Sequence, residues 1–181
     1  ASAQQVLKKP LALEDFFASA KFAGNTFQGG QWAEKGPVIT FVKPAAEGAT
    51  SLMSYDLERD QQTEMLDGAK LHATDVNRRI TIQSYTFSSD RKLLLIYTDS
   101  APVWRLPTKG FYYVYDFAAQ KLTPVSSRDK GYQMFAKLSA NGSHVAFVRD
   151  RNLFAVELAS MKETQLTFDG STDLVYGGAA H

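Results

Sequence analysis

Cysteine is absent from the 181 residues, and imidazole is supplied only by His72, His144 and His181. Disulfides, thiolate metal sites and a cysteine nucleophile are therefore excluded. The three histidines stand far apart in sequence, so no metal site and no cofactor is predicted. His144, just ahead of VAFVR, reads as a strand-entry residue. The serines in NGSHV and DGSTD do not fit the G-x-S-x-G turn that raises a nucleophile above a sheet, so no catalytic residue is assigned. GNTFQGG has the glycines of a phosphate loop without its Lys-Ser/Thr ending, and reads as a turn. One combination with chemical potential remains, Val103-Trp104-Arg105-Leu106. A guanidinium beside an aromatic on a long loop can fork onto a carboxylate or a peptide carbonyl, because its planar donors are preorganised for that task. On the other reading, Trp104 pins the loop and Arg105 is solvated.

The elements that position this pair are two apolar runs rich in β-formers, Leu93 to Thr98 and Phe111 to Phe117. Their lack of alternation predicts strands covered on both faces. Between them lies a polar stretch that reads as the long tip of a β-hairpin. The same phrase occurs three times. Trp32, Phe87 and Leu138 precede Phe41, Ile96 and Phe147 at one constant offset, in VITFVK, LLLIYT and HVAFVR, and second strands follow in SLMSYDL, FYYVYDF and LFAVELA. A repeat of about 40 to 50 residues built of short strands predicts propeller blades. The differences in length fall between first and second strands, where surface loops absorb them and strands cannot.

The fold class expected is all-β, a partial β-propeller of about three four-stranded antiparallel blades with a short N-terminal helix. Residues 1–31 form a lead-in and that helix, over Leu11 to Phe22, with Glu14 and Asp15 in its first turn. Residues 32–181 form the first blades of an incomplete propeller. The outer strands are placed near Thr63 to Leu66, at LTPV and at QLTF, and Ile80 and Ile82 are read as resuming strand. Arg78-Arg79 reads as a solvated pair. Asn141-Gly142 marks a tight turn.

A hydrophobic fraction of 44% is enough for a real core, and 20 basic against 19 acidic side chains leave the net charge at +1. No dense Lys/Arg run stands out, so nucleic acid and anionic membrane are not predicted partners. No apolar run reaches the length of about 20 residues needed to cross a bilayer. Ala1-Ser2-Ala3 has the small-residue pattern that ends a secretory signal, which points to a periplasmic or secreted protein; on the other reading these residues are an arbitrary start of the sequence. An open set of blades leaves apolar faces to be covered, by further blades or by a second copy in a homo-oligomer.

Four stretches together, LALEDFFASAKFAGNTFQGGQW, VWRLPTKGFYYVYD, LSANGSHVAFVR and QLTFDGSTDLVYGGAAH, resemble the amino-terminal part of the propeller of bacterial dipeptidyl peptidase IV-like enzymes, serine peptidases of the prolyl oligopeptidase clan. The resemblance implies an eight-bladed propeller capping an α/β-hydrolase domain that supplies Ser, Asp and His; that domain is expected outside this chain, which alone lacks the catalytic residues. It implies release of X-Pro and X-Ala dipeptides from peptide N-termini. It aligns Arg105 with the propeller arginine that contacts the bound peptide's carbonyl, with Trp104 supporting the loop. Leu106-Pro107-Thr108 departs from the His-Ser-aromatic sequence of some relatives. The final segment resembles the approach to a motif whose paired glutamates hold the substrate's amino group. A non-catalytic periplasmic propeller of the TolB-like kind, binding partner proteins, is the alternative, since LSANGSHVAFVR suits both.

Overall fold

Three antiparallel meanders follow one another along the chain, and each repeats the register of the others. The computed structural model describes residues 30–33, 36–103 and 106–177. The first meander is β1 (Gln31–Trp32), β2 (Val38–Pro44), β3 (Thr50–Asp56) and β4 (Gln61–Leu66), hydrogen-bonded in that order. A connector follows, folded into a small hairpin of β5 (His72–Ala73) and β6 (Arg78–Arg79). The second meander is β7 (Ser84–Phe87), β8 (Leu93–Val103), β9 (Leu106–Asp116) and β10 (Lys121–Pro124). The third is β11 (Gln133–Leu138), β12 (His144–Arg149), β13 (Asn152–Glu157) and β14 (Lys162–Gln165). Among the described residues, helical geometry is confined to 3-10 turns at Ala46–Gly48, Gly68–Lys70 and Arg128–Lys130. The predicted helix over 11–22 lies outside the described residues, as do Trp104, Arg105 and His181.

The repeat is visible rung by rung. Trp32, Ile39, Tyr55 and Gln62 pair across the first blade. Phe87, Leu94, Tyr115 and Leu122 pair across the second, and Leu138, Val145, Val156 and Glu163 across the third. All three aromatic or aliphatic anchors thus occupy one equivalent position. Differences in length between the copies are taken up between the second and third strands of each blade, by residues 45–49 in the first, by the lengthened β8 and β9 in the second and by the turn Asp150-Arg151 in the third, without a change of face.

The middle blade is covered on both sides, as its unbroken apolar runs require. Leu94, Ile96, Tyr113 and Tyr115 pack with Leu52, Leu66, Leu71 and Ile80 from the first blade and its connector. Leu95 and Val114, one residue out of phase, pack with Val125, Val145, Phe147 and Val156 toward the third blade. Polar contacts add direction to this packing. Gln31 donates through Nε2 to the Tyr85 carbonyl at 2.7 Å, Thr40 and Tyr85 share a hydroxyl contact at 2.9 Å, and Ile82 N–H donates to Thr50 Oγ1 at 2.6 Å.

Four local expectations change. Ile80 and Ile82 are buried but lie between β6 and β7, not within a strand. The last outer strand is β14, Lys162–Gln165, so most of QLTF falls beyond it; the two-residue turn at Asp150-Arg151, both with positive φ, brings β13 back early and fixes β14 opposite Phe154 to Glu157. Arg78 stays solvent-exposed and Arg79 partly so, as read, but each also makes an ion pair, with Asp99 at 2.5 Å and Glu47 at 3.3 Å. The fourth concerns the second hairpin, whose polar stretch is not a loop.

Candidate site: the β8–β9 arm and its ion cluster

The second hairpin continues as paired strand almost to its end. β8 and β9 are each 11 residues long, and Val103 pairs with Leu106, so residues 104–105 alone separate the strands. The polar composition of DSAPV and LPTKG concealed this. These residues run beyond the ends of β7 and β10, and only Lys109 and Gly110 at the base of the arm pair with a further strand. Register breaks between Thr98 and Ala101 and again before Val103, and Asp99 has φ 48°. Such bulges bend a hairpin and re-aim its tip.

Gly110 lies opposite the first bulge, between the pairs Thr98–Phe111 and Ala101–Lys109. A Cβ there would lie 2.4 Å from a Tyr97 ring carbon and 2.8 Å from the Thr98 carbonyl oxygen, so the close approach of the strands demands glycine. At this point β9 pairs with β11, Gln133 to Gly110 and Met134 to Lys109, joining the second and third blades in one 8-stranded sheet. Gln133 Oε1 accepts from Tyr112 N–H at 3.3 Å.

In a four-stranded meander the tip of the second hairpin and the connector to the next blade fall at the same end. The arm therefore rises among the connectors, and they supply its partners. Asp99 Oδ2 accepts from Arg128 Nη2 and from Arg78 Nη2, both at 2.5 Å. Arg128 Nε donates to Tyr113 Oη at 3.0 Å and lies 3.5 Å from Asp75 Oδ2. Tyr113 Oη in turn donates to Asp75, 2.9 Å from Oδ2. The Arg128 guanidinium lies over the Phe111 ring, 4.1 Å from its centroid. Burial is the main cause that pushes the Tyr113 phenol up to about 12, with the Arg128 hydrogen bond opposing and Asp75 adding to it. The phenol stays protonated and able to donate. Burial disfavours the Arg128 charge, but the Asp99 and Tyr113 contacts outweigh it and raise the pKa.

A second cluster closes the seam to the third blade. Arg149 Nη2 meets Glu163 Oε1 at 2.6 Å, Lys130 Nζ reaches the same oxygen at 3.3 Å, and Ser126 Oγ donates to Glu163 Oε2. Arg149 Nη1 donates to Ser126 Oγ at 3.0 Å, and the guanidinium lies over the Phe154 ring at 4.1 Å. Burial alone would raise the Glu163 carboxyl; the Arg149 and Ser126 hydrogen bonds overcome it and hold the carboxyl down at about 2.

His144 opens β12, exposed, with Nδ1 2.7 Å from Ser143 Oγ, and His72 is exposed in β5. No cluster of His, Cys, Asp and Glu able to hold a metal occurs among the described residues. Sequence reasoning missed Asp75, Asp99 and Arg128. The connector SSRDKGY carried a charge signal, but nothing in it named partners in two other segments.

Three meanders of four strands, stacked face to face around shared apolar layers, define a partial β-propeller. Residues 88–181 match the family described as the dipeptidyl peptidase IV (DPP IV) N-terminal region, and the chain belongs to that family. It is 36% identical over 91 residues to a probable dipeptidyl-aminopeptidase B of Aspergillus terreus, covering 50% of this chain and 10% of that protein. It is 34% identical over 101 residues to the dipeptidyl aminopeptidase B of Saccharomyces cerevisiae, covering 55% of this chain and 12% of that one. The crystal structure of Porphyromonas gingivalis dipeptidyl peptidase 4 superposes with a TM-score of 0.71 over 90% of this chain and 22% of that chain, at 24% identity, a likeness of fold. The chain thus spans a small fraction of each relative's length. Of the two classes left open by the sequence, the family match falls on the peptidase side. No described helix is long and apolar enough to cross a membrane.

Proposed function

We propose that this chain is part of the substrate-gating propeller of a periplasmic or secreted serine peptidase that releases X-Pro and X-Ala dipeptides from peptide N-termini. The peptide is its substrate partner, further blades and an α/β-hydrolase domain complete the enzyme, and a second copy forms a homo-oligomer. Family membership supports the peptidase class, and the names of the relatives support a dipeptide product.

The observation that carries the reading is the arm. Two paired strands of 11 residues run as far as Val103 and Leu106, at the end of the blade where the interblade connectors also lie. In this reading Arg105 donates to a backbone carbonyl of the bound peptide, and Trp104 supports it by packing. A charge-assisted hydrogen bond contributes about 1.5 to 3 kcal/mol. Arg105→Ala in the full-length protein therefore lowers kcat/KM for a Gly-Pro or Ala-Pro reporter by about one to two orders of magnitude, with the melting temperature unchanged. A folded variant with unaltered kinetics would show Arg105 to be a solvated surface residue.

A further inference from the structure

We infer that Arg128 is a positioning residue, which clamps the root of the β8–β9 arm and so sets the direction in which the arm leaves the blade. The consequence for peptide binding rests on the peptidase reading above; the clamp itself does not.

Hydrogen bonding between β8 and β9 fixes how the two strands lie against each other, but not the angle at which the pair leaves the blade. Beyond Thr98 the hairpin loses β7, and bulges interrupt its own ladder. A bulged two-stranded ribbon has little intrinsic stability outside a wider sheet. What holds its root is a set of side chains from separate segments that converge on one point. Asp99 stands at the bulge and takes two guanidinium groups on one carboxylate oxygen, Arg78 from the connector before the second blade and Arg128 from the connector after it.

Arg128 is the centre of this arrangement. Its side chain is 20% exposed, and its contacts reach β8 through Asp99, β9 through Tyr113 and Phe111, and the first connector through Asp75. Two carboxylates face two guanidiniums, so the cluster is charge-balanced. Lysine would keep the charge but not the fork: one ammonium cannot serve Asp99, Tyr113 and Asp75 from a plane stacked on Phe111. Arginine at this point matches the geometry and not only the sign of charge. Pairing of β9 with β11 at Gly110 and Lys109 then holds the other edge of the arm's base.

Hydrogen exchange measured on the 181-residue chain tests this without reference to catalysis. In Arg128→Ala, amides of residues 99–110 exchange at least about tenfold faster, while the β12–β13 hairpin of the third blade keeps its protection. Asp99→Asn reproduces the pattern in weaker form and serves in place of Arg128→Ala if that variant does not fold. Arg128→Lys restores protection only in part. Unchanged exchange over 99–110 in folded variants overturns the inference, and so does a uniform rise in both hairpins, which would reveal a merely structural residue. In the full-length protein the same variant raises KM for a reporter dipeptide about tenfold and leaves kcat within about twofold. If Arg105→Ala is silent in cleavage while Arg128→Ala loosens the arm, the peptidase role of the arm fails and the clamp stands.

Discussion

Replacing Glu163 by Gln removes the charge from the seam between the second and third blades while nearly preserving its shape. In the wild type the Glu163 and Arg149 side chains are 13% and 8% exposed and 2.6 Å apart, so solvent screens the pair weakly. A carboxyl held at about 2 against an ordinary 4.5 favours the ionised native state by about 3 kcal/mol at neutral pH. The folded value is depressed, so this stability is fully present above pH 4.5 and is lost as the pH falls toward 2. Glu163→Gln leaves Arg149 without its counter-charge, and the expected cost is about 2 to 3 kcal/mol at pH 7, shrinking to about 1 kcal/mol at pH 3. Urea unfolding of both proteins at the two pH values measures it, the difference between them cancelling the other carboxylates. A domain of this size should lose about 5 to 10 °C in Tm at pH 7. A cost under about 0.5 kcal/mol, or one independent of pH, would refute the reasoning and mark the pair as no stronger than an exposed ion pair.

Gly110→Ala places a methyl group against the Thr98 carbonyl and the Tyr97 ring, and should cost about 1 to 3 kcal/mol, read as a lower urea midpoint. Ile96→Ala opens a cavity at a fully buried position of the middle strand and should cost about 2 to 5 kcal/mol by the same measurement. Thr40→Val strips one partner from the Tyr85 hydroxyl contact and should cost about 1 kcal/mol, whereas the same change at an exposed threonine should not. Asp150→Asn with Arg151→Gly puts turn-forming residues where φ is 48° and 64°, and should raise Tm by a few degrees, about 0.5 to 1 kcal/mol.

The blades could be read from the sequence because burial imposes a local pattern. A strand covered on both faces must be apolar throughout, and LLLIYT and FYYVYDF are; a constant offset between anchor and strand is what a repeated register requires, and Trp32, Phe87 and Leu138 occupy one rung in three copies. Asn141-Gly142 and Pro124 are equally local, one a turn and the other the end of an edge strand. What tertiary structure alone decided is the arm and its root. DSAPV and LPTKG look like loop because their sequence is polar and rich in Pro and Gly, yet they pair as strand, since backbone hydrogen bonds between neighbours need no apolar alternation. Asp75, Asp99 and Arg128 are charges in polar stretches, and nothing in their local sequence names a partner. Only the stacking of blades around shared cores brings three segments to one end of the sheet, where a guanidinium can reach two carboxylates, a phenol and an aromatic face at once.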